Sequence, residues 1–346
     1  MSTLLCVNTF LMFLIVSAVR GCHPGCHCEV ESFGLFSSFS FTKVDCSGAG
    51  PDVAPVPIPL DTSFLDLSSN SIRTVTDSML TGPGYTTLTS LDLSANLISE
   101  INDKAFSKLR YLESLDLSHN SLEKLTSGCF SGLPLAEVDL SNNRLQELRL
   151  DVFMAKGHKR PVSVDVSNNR VTMVSRNPQM SPPNLHSLTL AGNQLYSVPR
   201  LHGIPVQYLN LDRNPISSIQ KDSFAELKDL VHLSLNSLPQ LTAIQPHSFR
   251  DLSNLQVLNL SNNTGLTSLS PEVFLGLASL QELDLSNSGV NSLPNNILSH
   301  LPSLRRITLR ENVNCWRTKK QEQFHRHIEQ TNSDEVLTCD ATGIFL

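Results

Sequence analysis

Residues 91–98 read LDLSANLI, and the pattern returns at residues 115–122 as LDLSHNSL and at residues 138–145 as VDLSNNRL. The shared pattern is LxLxxNxL, in which L stands for Leu, Ile or Val and x for any residue. Over the whole chain its copies begin at positions 65, 91, 115, 138, 164, 188, 209, 233, 258, 283 and 307. Repetition at intervals of 21–26 residues predicts a solenoid built from one short unit.

Each unit has the residues that a leucine-rich repeat requires. Alternate residues of a strand point to opposite faces, so LxL places two aliphatic side chains inward and the residue between them outward. The asparagine follows where the chain turns, and its amide can bond backbone groups that the turn leaves unpaired. One unit buries about five aliphatic side chains, worth roughly 10 kcal/mol, whereas ordering its backbone costs about 1 kcal/mol per residue or more. The units must therefore stack, and we predict an α/β-type leucine-rich-repeat horseshoe with short parallel strands on its concave face.

Phenylalanines form a second periodic column. They lie 15 or 16 residues after the first aliphatic residue of their repeats, at Phe106, Phe130, Phe153, Phe224, Phe249 and Phe274. This spacing predicts a spine of packed rings behind the strands. The column is interrupted between residues 172 and 206, where we expect an irregular outer wall. Cys129 takes the position that Ala105 takes one repeat earlier, which favours a small buried thiol over an intermolecular disulfide.

Composition and the first residues of the chain predict a secreted protein. Residues 1–21 contain the apolar run Thr9–Val19 and read as a signal peptide, because this run is too short to span a bilayer. No later stretch is long and apolar enough for a membrane helix, and a net charge of −6 gives no basic face for nucleic acid. No catalytic or cofactor-binding motif occurs, so we expect neither an enzyme nor a bound cofactor.

The cysteines gather at the two ends of the predicted solenoid. Four lie near the N-terminus at Cys22, Cys26, Cys28 and Cys46, and two lie near the C-terminus at Cys315 and Cys339. In an oxidising compartment this distribution predicts disulfide-bonded caps, with residues 22–60 as the N-terminal cap, 61–312 as the repeats and 313–346 as the C-terminal cap. A zinc site among these thiols is the disfavoured alternative. Phe39, Phe41 and Val44 suggest a hairpin that lays apolar groups over the first repeat, or else an aromatic patch for a partner.

The cysteine spacing CxxxCxC followed by a fourth cysteine, together with about eleven repeats and a two-cysteine C-terminal cap, resembles the small leucine-rich proteoglycans. The long interval before Cys46 is similar to that of a divergent class of this family. The resemblance implies disulfides Cys22–Cys28, Cys26–Cys46 and Cys315–Cys339. It further implies a secreted developmental regulator that binds extracellular signalling proteins or their receptors and mostly restrains bone-morphogenetic, TGF-beta and Wnt-type signals. The alternative is a structural matrix protein that binds collagen or carries a glycosaminoglycan chain.

The outward residues of the strands are the candidate partner-binding residues. In the first five repeats the residue between the two aliphatic side chains is acidic, at Asp66, Asp92, Asp116, Asp139 and Asp165. Strands about 4.8 Å apart would stack these into a column that attracts a basic growth factor or a cation, unless it is only a solvated face. Tyr208 and His232 should project from the neighbouring column, and Arg306 and Arg310 make the C-terminal end of that face basic.

Other surface features can be interpreted either as ordinary solvated surface or as functional sites. Lys156, His158, Lys159 and Arg160 form a basic loop, and Arg317, Lys319 and Lys320 a second basic group. Each favours a solvated surface over a heparan sulfate site. Sequons begin at Asn259 and Asn262, of which Asn262, at the turn, is the better candidate for N-glycosylation. Ser47 stands in a sequence that resembles a glycosaminoglycan attachment site, although a glycine-rich turn is favoured there.

Overall fold

The computed structural model describes residues 22–33, 39–49, 57–154, 160–290, 292–293, 297–310, 313–319 and 335–339. The described residues up to 170, with 175–184, form one unit, and residues 171–174 with those from 185 onward form the other. The predicted signal peptide, residues 1–21, lies outside the described residues.

The first unit contains a sheet whose strands run parallel from the second strand onward. Its strands are β1 (His27–Phe33), β2 (Phe39–Asp45), β3 (Thr62–Asp66), β4 (Thr74–Val75), β5 (Ser90–Asp92), β6 (Glu100–Ile101), β7 (Ser114–Asp116), β8 (Glu137–Asp139), β9 (Glu147–Arg149) and β10 (Val162–Asp165). The sheet order is β1-β2-β3-β5-β7-β8-β10, and β4 pairs with β6 on the opposite wall. β11 (Met173–Ser175) has residues in each unit.

The second unit repeats this arrangement and ends in two antiparallel strands. Its strands are β12 (Leu185–Thr189), β13 (Tyr208–Asn210), β14 (Ser218–Ile219), β15 (His232–Ser234), β16 (Ala243–Ile244), β17 (Val257–Asn259), β18 (Glu282–Asp284), β19 (Arg306–Arg310), β20 (Val313–Lys319) and β21 (Glu335–Cys339). The sheet order is β12-β13-β15-β17-β18-β19-β20-β21, with parallel pairing from β12 to β19. The predicted leucine-rich-repeat solenoid of parallel strands is confirmed.

The core is the aliphatic interior that the repeat predicts. In the first ten repeats the outer two residues of the LxL pattern are buried, as at Leu91 and Leu93, whose side chains are 1% and 0% exposed. In the last repeat Ile307 is buried and Leu309 is half-buried. The predicted phenylalanine spine is also present: the ring of Phe130 lies 6.0 Å from that of Phe106 and 5.9 Å from that of Phe153. In the second unit the rings of Phe224 and Phe249 are 5.5 Å apart.

Buried asparagines connect successive coils. Asn96 donates its amide hydrogens to the carbonyls of Leu67, Leu93 and Ser94, and its oxygen accepts the backbone N–H of Ile72. The same pattern of bonds within a coil and to the previous coil recurs at Asn120, Asn143, Asn169 and Asn214. Each amide therefore satisfies backbone groups that have no strand partner, as the sequence predicts.

The N-terminal cap contains an incomplete repeat. Disulfides join Cys22 to Cys28 and Cys26 to Cys46, which confirms the disulfide-bonded cap and leaves no free thiol there for zinc. Val44 and Cys46 are buried and Asp45 is exposed, as in the LxL of a true repeat. Asn70 donates a hydrogen bond to the Cys46 carbonyl, as a ladder asparagine bonds to the previous coil. β2 therefore covers the end of the solenoid with the burial pattern and hydrogen bonding of a repeat strand.

The prediction that Phe41 packs over the first repeat together with Val44 is wrong. Thr42 and Val44 are buried in β2, whereas Phe41 is half-exposed on the opposite face, with the Lys43 ammonium 6.0 Å from its ring centre. Because successive side chains of a strand alternate, Phe41 cannot share a face with Val44. The hairpin itself is present, since β1 and β2 pair in antiparallel register.

The outer wall and the C-terminal strands complete the described structure. The wall consists of turns, the 3-10 helices Pro83–Thr87, Leu150–Phe153 and Pro271–Phe274, and the short α-helix Ile297–His300. Cys315 is buried and disulfide-bonded, and Cys339 lies opposite it on β21. Within the described ranges, no helix combines the length and the apolar character needed to cross a membrane.

Candidate functional site

The outward face of the first unit's sheet carries a continuous row of carboxylates. The strand registers place Asp66 beside Asp92, then Asp116, Asp139 and Asp165, in the order that the sequence predicts. A sixth member, Asp45 of β2, lies beside Asp66 and was not predicted. We call Asp45, Asp66, Asp92, Asp116, Asp139 and Asp165 the acidic column. The spacing of Val44-Asp45-Cys46-Ser47, which matches that of LDLS, was the signal for Asp45.

Each carboxylate of the acidic column is oriented by the chain that follows it. One oxygen accepts the backbone N–H of the serine two residues later, at N–O distances of 2.7–2.8 Å. This bond closes a local turn and fixes the side chain at the strand's end. Ser47 therefore makes the same turn as the serines of the repeats, with Gly48 in the left-handed region at φ 59°.

Neighbouring carboxylates perturb one another within the column. The pKa of Asp116 is raised, first because the carboxyl is partly removed from water and further because Asp92 and Asp139 carry like charges beside it. At the exposed end, two hydrogen bonds from Ser47 lower the pKa of Asp45. Ionisation of Asp116 in the middle of the column is therefore energetically unfavourable, and an approaching cation would offset this cost.

The outward face of the second unit has a different chemistry. Tyr208, His232, Val257, Glu282 and Arg306 occupy one row across five neighbouring strands. The rings of Tyr208 and His232 are stacked with their centres 4.7 Å apart. At the other end of the row, the Arg306 guanidinium donates to the Glu282 carboxylate at 2.7 Å. Three of the four residues chosen from the sequence in this unit, Tyr208, His232 and Arg306, thus share one row, whereas Arg310 pairs with Val313 of β20.

A depression opens between this row and the next. Its lining residues come from β15, β17, β18 and β19 and are His232, Val257, Leu258, Asn259, Glu282, Leu283, Asp284, Arg306 and Thr308. We call it the β15–β19 depression. Partial burial lowers the pKa of His232 against the opposing effect of Asp212 and Glu282, so the ring is neutral at physiological pH. Sequence reasoning did not find the depression, because it depends on residues about 25 positions apart.

The remaining candidate residues are distributed over the surface. Asn259 lines the depression, whereas Asn262 is exposed and bonds the side chains of Asn236 and Asn287. Arg160 forms an ion pair with Glu113. Lys156, His158, Lys159 and Lys320 lie outside the described residues. Cys129 is free and buried, and burial raises the pKa of its thiol to about 12, so it is unreactive at neutral pH.

Comparison with known proteins agrees with the fold and identifies the family. The leucine-rich-repeat family model matches residues 86–145, 204–264, 237–289 and 253–313. The chain is 58% identical to Tsukushi of Danio rerio over 347 residues, covering 100% of each chain. It is 56% identical to Tsukushi of Gallus gallus, covering 96% of this chain and 91% of the relative. For Tsukushi of Homo sapiens the identity is 52%, and 91% of each chain is covered. With most of its length shared at this identity, the chain belongs to the Tsukushi family of leucine-rich-repeat proteins.

Proposed function

We propose that the protein is secreted and binds extracellular signalling proteins or their receptors through the outward face of its sheet, restraining signals of the bone-morphogenetic, TGF-beta or Wnt type. Binding, rather than catalysis, is what leucine-rich-repeat surfaces provide. The resemblance to the small leucine-rich proteoglycans suggests the class of partner. The paired cysteines of the N-terminal cap agree with an oxidising, extracellular location.

The acidic column is the observation that carries this proposal. Its six carboxylates are oriented by backbone hydrogen bonds before any partner arrives, so binding orders few side chains. A row of like charges on neighbouring strands also produces a directional field, which accelerates encounter with a basic surface. A basic growth factor is the kind of partner that this field favours.

A binding screen of the purified protein against bone-morphogenetic proteins, TGF-beta ligands, Wnt receptors and collagens tests the proposal. The informative variant combines Asp92→Asn, Asp116→Asn and Asp139→Asn. Asparagine preserves the turn, because Asn210 and Asn259 accept the equivalent backbone N–H in the second unit at 2.9 Å. Each change also creates an Asn-Leu-Ser sequon, so the wild type and the variant are produced in the bacterial periplasm, which is oxidising and adds no N-linked glycan of this kind. Only the charge is then removed.

We expect the triple variant to associate with a basic partner roughly tenfold more slowly at low salt, with a weaker dependence on salt concentration. Asn142→Gly, on the rim of the same unit, is the matched control and should bind like the wild type. A triple variant with unchanged association would exclude the acidic column from binding. Binding to collagen alone would replace the proposal with a role in the matrix.

A further inference from the structure

The β15–β19 depression contains more negative than positive charge. Glu282 and Asp284 both point into it from β18, and Arg306 is the one cation in its lining. Arg306 is already paired with Glu282, and both side chains remain close to half-exposed, at 46% and 45%. Asp284 uses one oxygen to accept the Ser286 N–H at 2.9 Å. Among the described residues, no basic side chain forms an ion pair with Asp284.

One flank of the depression is suited to an aliphatic chain and a cation. Val257 lies beside Glu282 in the row and is half-buried, which leaves an apolar surface next to the carboxylates. The stacked rings of Tyr208 and His232 continue the row beyond Val257. Long basic side chains combine an apolar stem with a charged head that is attracted to carboxylates and to aromatic faces.

We propose that the β15–β19 depression receives an arginine or lysine side chain of the bound partner protein, with Asp284 binding the charged head and Val257 packing against the aliphatic stem. This inference rests on the proposed function and names the chemistry that the partner must present in the second unit. It also assigns Asp284 a role that differs from that of the acidic column, because a single carboxylate beside an apolar flank selects a side chain rather than steering a surface.

A photo-crosslinking peptide tests the assignment directly. The probe is an acetylated, amidated tetrapeptide, Gly-Arg-benzoylphenylalanine-Gly, and its partner probe carries citrulline, which has nearly the same shape as arginine without the charge. The full-length protein is irradiated with each probe at physiological salt, and the crosslinked residues are located by mass spectrometry. Mapping the crosslinks separates the depression from the acidic column, which also attracts cations.

Asp284→Asn is the decisive variant, since asparagine holds the same turn at positions 210 and 259. Its matched control is Asp229→Asn, the same change at an exposed carboxylate of the second unit that does not line the depression. Because Asp284→Asn creates an Asn-Leu-Ser sequon, all proteins are produced in the bacterial periplasm, which is oxidising and adds no N-linked glycan of this kind. Thermal melting of both variants checks that they remain folded. We expect crosslinks of the arginine probe within residues 232–308, reduced at least about threefold by Asp284→Asn and unaffected by Asp229→Asn.

Three results would overturn the inference: equal crosslinking by the citrulline probe, crosslinks confined to the acidic column, or a yield that Asp284→Asn leaves unchanged. These outcomes are distinct from failure of the proposed function. If the screen finds a partner protein and the probe does not map to the depression, only the side-chain assignment fails. If the probe maps there and the screen finds no partner, the depression binds cations and the signalling role fails.

Discussion

At the scale of the residue, adjacent asparagines show how position decides importance. Asn143 is buried and bonds the carbonyls of Leu117 and Leu140, while its oxygen accepts the Leu122 N–H. Asn142, one position earlier, is half-buried and lies in the left-handed region at φ 56°. The first residue holds two coils together, whereas the second only joins a row of surface amides.

We therefore expect Asn143→Ala to lower the free energy of unfolding by about 3 kcal/mol, because it leaves buried backbone groups without partners. Asn142→Gly should change it by less than about 0.5 kcal/mol, since glycine adopts a positive φ readily. Urea denaturation followed by circular dichroism measures both. Equal stability of the two variants would contradict the structural role of the buried amide.

The raised pKa of Asp116 predicts a stabilising substitution. A carboxyl whose pKa is higher in the folded state binds protons more tightly there, so its ionisation reduces stability as the pH rises through the folded pKa. Asp116→Asn keeps the turn and removes repulsion from Asp92 and Asp139, so it should stabilise the protein at pH 7 by about 0.2–1 kcal/mol. The gain should disappear below about pH 4, near the pKa of an ordinary carboxyl, where the wild-type carboxyl is protonated.

Thermal melts of the wild type and Asp116→Asn at both pH values provide the measurement. The proteins are produced in the bacterial periplasm, because the substitution creates an Asn-Leu-Ser sequon that must stay unmodified. Asp284→Asn is the appropriate comparison, because Asp284 has no acidic neighbour in its row of β17 and β19, where Asn259 and Thr308 lie. A gain of the same size at both pH values would show that charge repulsion is not its cause.

Residue roles that depend on the repeat alone were predictable from the sequence. The inward aliphatic residues, the ladder asparagines and the outward aspartates follow from a period and an alternation. Asp45 was missed because the cap strand reads VDCS, and cysteine in place of leucine hides the pattern. Phe41 was assigned to the wrong face because its apolar character was given more weight than the alternation of side chains along a strand. That alternation places residues 41 and 44 on opposite faces.

At the scale of the element, the phenylalanine spine gives the outer wall its packing. Phe130 contacts the rings of the preceding and following repeats and is 2% exposed. The wall has few regular elements of its own, and its two-stranded pairs β4–β6 and β14–β16 involve only two residues a strand. Those pairs escaped prediction because they form only when neighbouring coils are already aligned.

Phe130→Ala should reduce the free energy of unfolding by about 3–5 kcal/mol, because it removes a ring from a continuous stack and leaves a cavity. Tyr111→Ala is a suitable control, since that aromatic side chain lies in the same unit and is 63% exposed. It should cost less than about 0.5 kcal/mol. Denaturation midpoints that shift equally in the two variants would argue against the spine as a source of stability.

At the scale of the whole molecule, the sequence predicted repeats and caps but not the depression. The acidic column follows from one residue type at one repeat position. The β15–β19 depression instead requires that Val257, Glu282 and Arg306, each different, become neighbours across strands. Neighbours of different residue types produce no repeating pattern in the sequence, so such a surface can be recognised only in the folded chain.

The two sequons allow a test of which surface stays open in the mature protein. A glycan on Asn262 would project from the exposed rim into solvent, whereas a glycan on Asn259 would project through the β15–β19 depression. We expect secreted wild-type protein to gain mobility on deglycosylation, Asn262→Gln to abolish this shift and Asn259→Gln to preserve it. A shift lost only in Asn259→Gln would mean that the depression is covered.

The incomplete repeat in the N-terminal cap has a consequence for the order of events during synthesis. β2 already presents the hydrogen-bonding edge and the buried residues that β3 needs, and each later strand needs only its predecessor. The chain can therefore fold vectorially from its N-terminus, adding coils to a nucleus that its first two disulfides hold in place.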